Sequence, residues 1–170
     1  MAKAKAASGR AADPAHRAIE VPLERLPVID ESSIEVEAPA EAVWASLTPA
    51  LVQTLSARRF AAAARSLGCV ETEVGGDLRH PGGILPGFVV ARAVPPVMLA
   101  LLGEHRYSRY GLIFRIDLLP ADRSRVRAET RAETTGRRGH AFHAALVRGG
   151  VHRMIAGSAL RNLKKRAEAR

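Results

Sequence analysis

The chain has 170 residues, 47% of them apolar and 25% charged, the balance of one globular domain large enough to bury a core. No stretch approaches the ~18 uninterrupted apolar residues of a membrane-spanning helix, and the single cysteine, Cys69, excludes an internal disulfide and a cysteine-built zinc site. The net charge of +9 is concentrated: residues 137–170 carry nine bases and one acid, while the first 136 residues are close to neutral.

Residues 1–31 read as an N-terminal arm, weakly ordered or draped on the domain. Small residues, Lys3, Lys5, Gly9 and Pro14 give no sustained apolar period. Val21, Leu23, Leu26, Val28 and Ile29 can lie along a folded surface. The arm lacks the apolar region of a secretory signal, and Asp13 and Glu20 argue against a transit peptide, so a cytoplasmic location is expected.

The domain proper is placed at 32–170. Ser33-Ile34-Glu35-Val36-Glu37 alternates with period two and predicts a half-buried strand. Pro39 opens a helix through Ala42, Val43, Trp44 and Leu47, which Pro49 is expected to break. An alanine-rich second helix follows over 50–67, closed by Gly68. Residues 69–87, with three Gly/Pro clusters, read as a long loop. Strands are then predicted over 88–94, 97–102, 107–119 and 125–135. In the last, Val126, Ala128, Thr130, Ala132 and Thr134 share one face, and charged residues that can pair across strands share the other. From about Gly139 the period turns helical, with Val147, Val151, Met154, Ile155, Ala159 and Leu163 as its apolar stripe. This order predicts an α+β fold, a curved antiparallel sheet covered by a long C-terminal helix.

The segment Ile34-Glu35-Val36-Glu37-Ala38-Pro39-Ala40-Glu41-Ala42-Val43-Trp44 resembles the opening of SRPBCC proteins, the START-like superfamily that includes polyketide cyclases and aromatases. The stretch from Pro95-Pro96 to Phe114 is similar to a bacterial branch of it. The resemblance spans roughly 32–168. It implies a helix-grip fold, in which the sheet wraps the helix around an apolar cavity, and it transfers no catalytic set.

On that fold the expected cavity wall is Phe88, Val90, Leu112, Phe114, Val126, Ala128, Thr130, Val147, Val151, Met154 and Ile155. The alternative is that these side chains simply fill the core. In a regular strand Arg92 shares a face with Phe88 and Val90 and becomes a polar anchor; in the opposite register it is surface. His105, Tyr107 and Tyr110 form the richest polar-aromatic cluster and are further anchors, although a strand start with packed tyrosines is the plainer reading.

His140 and His143 share a helical face with no carboxylate nearby, so no metal is expected. Cys69 follows a helix-ending glycine and is not activated. Gly136-Arg137-Arg138-Gly139 lacks the end of a P-loop, and no cofactor motif is found. The basic C-terminal block has little aromatic interleaving, so no nucleic acid is expected. Basic residues suit a helix C-terminus without any partner. The leading expectation is binding of a small hydrophobic or aromatic molecule, with a lipid among the candidates. The alternatives are a cyclase- or aromatase-type enzyme on the same cavity, and a membrane-surface or protein-interaction module acting through the basic helix, with weak contact to anionic membrane.

Overall fold

The antiparallel pairing that the alternating segments predict is present throughout. The computed structural model describes residues 23–69, 71–134, 136 and 150–169. The elements are β1 (Val28–Val36), α1 (Ala40–Leu55), α2 (Arg58–Leu67), β2 (Ile84–Leu85), β3 (Phe88–Val94), β4 (Met98–His105), β5 (Ser108–Leu119), β6 (Arg123–Thr134) and α3 (Val151–Ala167). The six strands form one sheet in the order β1-β6-β5-β4-β3-β2. α3 packs against α1 and β1 over the inner face, giving the α+β helix-grip architecture. No helix among the described residues is long and apolar enough to cross a membrane.

The inner face carries Val36, Val90, Leu99, Leu101, Phe114, Val126 and Ala128 against Val43, Leu47 and Leu51 of α1 and Ala156, Leu160 and Leu163 of α3. Each large apolar side chain buried here contributes about 1.5–3 kcal/mol. That burial explains why Pro49 does not end the helix as expected. α1 runs through it to Leu55, because Leu47, Ala50, Leu51 and Leu55 all bury at helical spacing, and together they outweigh the ~3 kcal/mol cost of an interior proline. The break falls instead at Ser56-Ala57. Gly68 closes α2 in the left-handed region (φ 71°), as its position predicts, with its N–H shared by the Ala64 and Arg65 carbonyls.

The charged outer face of β6 pairs across strands as anticipated. Arg125 Nη2 lies 2.7 Å from Glu35 Oε1, and Arg127 Nε lies 2.7 Å from Asp117 Oδ2. The side chains of Asp117 and Glu35 are held below the usual carboxylate range chiefly by hydrogen bonds from Arg127 and Arg125 respectively.

The outer face also has an apolar part, and the chain ahead of β1 covers it. Leu23 and Leu26 pack on Val89, Met98, Ala100, Leu102 and Ile113. Gly111 has no side chain on that face, and Leu23 fills the space a Cβ would need. Arg131 Nη1 donates to the carbonyls of Glu24 and Leu26 at 2.9 and 2.8 Å. β1 itself begins at Val28 and straddles the predicted 31/32 boundary.

In α3 the buried stripe is Ala156, Ala159, Leu160, Leu163 and Ala167. Ile155 is half-buried beside it, and Met154 turns outward, 43% exposed. The predicted helix start near Gly139, the histidines at 140 and 143, the arginines at 137 and 138, Val147 and the side chain of Val151 lie outside the described residues.

Candidate functional site

One end of the sheet is not filled by the core. There a cavity of about 190 Å³ lies between the sheet, α2 and the start of α3. Its sheet wall is Tyr110 and Leu112 of β5, Thr130 and Ala132 of β6, His105 of β4, Phe88 of β3 and Ile29 of β1. α2 presents Phe60, Ala63, Ala64 and Leu67. The loop between α2 and β3 supplies Cys69, Pro86 and Gly87, and α3 supplies His152 and Ile155.

Tyr110 is held by a gap in the opposite strand. Gly103 pairs with it across β4 and β5, and a Cβ on Gly103 would strike both the Tyr110 ring and the Gly87 carbonyl. The bare backbone lets the ring lie across β4 so that its hydroxyl donates to the Gly87 carbonyl at 2.8 Å. Phe88 meets the ring edge-on at 5.2 Å, and the His105 ring lies 5.3 Å away. Cys69 Sγ is 3.3 Å from the same hydroxyl. Since the tyrosine proton is spent on Gly87, the thiol is the donor. Burial pushes the Tyr110 phenol well above its ordinary value, with Cys69 adding to it, and burial also pushes the Cys69 thiol up. Both groups are therefore neutral hydrogen-bonding walls rather than nucleophiles.

His105 turns inward at the end of β4. Its Nδ1 accepts the Tyr107 N–H at 3.2 Å, so the neutral ring carries its proton on Nε2. Burial first, and the Arg106 charge second, hold its pKa below the ordinary histidine value. On the opposite wall, His152 Nε2 is shielded from water and has no hydrogen-bond partner among the described residues. The nearest acid, Asp30, is 3.9 Å away and is itself paired with Arg153 at 3.3 Å.

Of the predicted wall, the structure brings Phe88, Tyr110, Leu112, Thr130 and Ile155 to the cavity. Val90, Phe114, Val126 and Ala128 face inward but are packed in the core beyond it. Tyr107 sits in the β4–β5 turn under the Arg106 guanidinium (5.2 Å), off the wall. Arg92 is overturned as an anchor by a β-bulge. Val90 pairs with Leu101, but Arg92 pairs with Ala100, and the extra residue Ala91 reverses the strand's facing. Arg92 emerges exposed on the outer face. The α2 wall was missed, although Phe60, Ala63, Ala64 and Leu67 are spaced as one helical face. Cys69 and Gly87 come from a loop whose path no periodicity reveals.

No protein-family model and no curated protein matches the chain in sequence. Among solved structures it is similar to the Zhui aromatase/cyclase from a Streptomyces species, at 16% identity over 83% of this chain and 93% of that one, with a TM-score of 0.54. It is also similar to protein Ms6760 from Mycobacterium smegmatis (16% identity, 84% and 99% covered, TM-score 0.49) and to CalU16 from Micromonospora echinospora (19%, 82% and 83%, 0.47). At these identities the likeness is one of fold. The chain shares the helix-grip fold of that aromatase/cyclase.

Proposed function

We propose that the chain binds a small hydrophobic or aromatic molecule, about one ring in size, in the cavity between the sheet, α2 and α3. The observation that carries this is the cavity itself, about 190 Å³ with a largely apolar wall. A dry apolar cavity of ~150 Å³ is enough to hold benzene. A one-ring ligand of about seven heavy atoms would bind with a Kd of about 0.1–1 mM. The polar groups on the Tyr110 side favour holding a ligand over cyclase chemistry, because the Tyr110 hydroxyl is committed to Gly87 and the thiol is neutral. Contact with anionic lipid is less favoured, since Lys164 is bonded to Glu35 and Glu168, and Arg166 to Gln53.

The test is titration with toluene, followed by ¹⁵N chemical shifts. Wild type is expected to show saturable shifts centred on Tyr110, Leu112 and Ile155. Ala132→Phe, which fills the space, should abolish them, and Arg92→Ala should leave them intact. Unchanged binding by the filled variant would overturn the cavity as the site.

A further inference from the structure

We infer that His152 makes the cavity selective for a neutral ligand carrying one hydroxyl, such as a phenol, over its hydrocarbon and carboxylate counterparts; this rests on the cavity being the binding site. The imidazole lines the cavity. Its Nε2 is buried, with no hydrogen-bond partner among the described residues. A buried polar atom left unpaired is costly, and a partner arriving with a ligand recovers that cost. Three neighbouring polar side chains on this wall are already paired: Tyr110 to Gly87, Cys69 to Tyr110, and Ser108 to the Glu133 carbonyl. His152 Nε2 thus has hydrogen-bonding capacity to spare beside these bonded groups. The soft torsion of its ring allows Nε2 to turn toward a bound hydroxyl, which can donate to or accept from an imidazole.

Charge narrows the class further. A ligand carboxylate at Nε2 would stand near the Asp30 carboxylate, 3.9 Å from that nitrogen. The nearby cation, Arg153, is already bonded to Asp30 and has a largely solvent-exposed side chain. An anion would meet repulsion without a dedicated counter-charge, whereas a neutral hydroxyl brings no charge against Asp30 when the imidazole turns to meet it. A site that expects a hydroxyl discriminates against the analogue lacking it more sharply than an apolar pocket discriminates by size.

The experiment compares p-cresol, toluene and 4-methylbenzoate by calorimetric titration of wild type, His152→Leu and His152→Gln. Wild type is expected to bind p-cresol roughly tenfold tighter than toluene, and 4-methylbenzoate more weakly than p-cresol. His152→Leu should bind toluene and p-cresol about equally, and His152→Gln, which keeps a polar side chain, should retain part of the preference. Equal binding of p-cresol and toluene by wild type, tighter binding of the carboxylate, or an unchanged preference in His152→Leu would each overturn the assignment to His152 while leaving the cavity in place. If none of the three ligands binds wild type, the cavity reading itself fails, and this inference with it.

Discussion

Replacing Gly103 with alanine should destabilise the fold through a side chain that lies on another strand. The new Cβ would collide with the Tyr110 ring and the Gly87 carbonyl, so the ring must move off β4. Moving it breaks the 2.8 Å bond between Tyr110 and Gly87. The lost bond costs about 1 kcal/mol, and the forced repacking about 1–3 kcal/mol. The entropy the unfolded chain loses on replacing glycine returns about 0.4–1 kcal/mol. The net is a loss of about 2 kcal/mol, or a fall of about 4–8 °C in Tm for a chain of this size. Urea denaturation with a thermal scan measures it. Tyr110→Phe removes the same hydrogen bond without the collision and should cost about 1–2 kcal/mol. The two changes share that bond, so the double variant should lose less than the sum of the singles. Stability of Gly103→Ala within ~0.5 kcal/mol of wild type would refute the idea that the missing side chain seats the tyrosine.

Three further outcomes follow from the packing. Leu26, 1% exposed under the outer face, should cost about 2–4 kcal/mol when replaced by alanine; a loss below ~1 kcal/mol in the same urea assay would show that the segment only rests on the sheet. The Cys69 thiol holds its proton above the ordinary value of 9.0, so alkylation by iodoacetamide at pH 8 should run well below the rate of an unstructured cysteine and rise only in stronger alkali. The same sign applies to stability. The folded thiol, and the Tyr110 phenol raised above 10.0, keep protons that the unfolded chain releases. Their contribution is present below 9.0 and is lost as the pH climbs through the folded values. Stability that rises between pH 9 and 11 would contradict it.

The strand pattern was easiest to read where one face meets water. β6 alternates cleanly because its outer side carries Arg125, Arg127 and Glu129 and its inner side Val126 and Ala128. β4 does not alternate: Met98 to Leu102 is a continuous apolar run, buried on both faces because Leu23 and Leu26 cover the outer one. Arg92 falls on the outer face, the second of its two readings, for a related reason. Period-two reading assumes an unbroken ladder, and one unpaired residue at Ala91 shifts everything after it by a face. Pro49 shows local propensity yielding to burial, as the core positions on both sides of it outweigh one missing N–H. The half of the site that was legible lies on regular strands. The half that was not comes from α2, whose apolar face is built largely of alanines, and from the loop that carries Cys69 and Gly87.

The docked segment ahead of β1 decides how far the chain can be shortened. A version begun at Ser32, where the alternation becomes obvious, would discard Leu23 and Leu26 together with the first residues of β1. It would leave Met98, Ala100, Leu102 and Ile113 as a contiguous sticky strip on the back of the sheet. Such a version should self-associate even if its inner core forms normally, whereas one begun at residue 22 keeps its own cover.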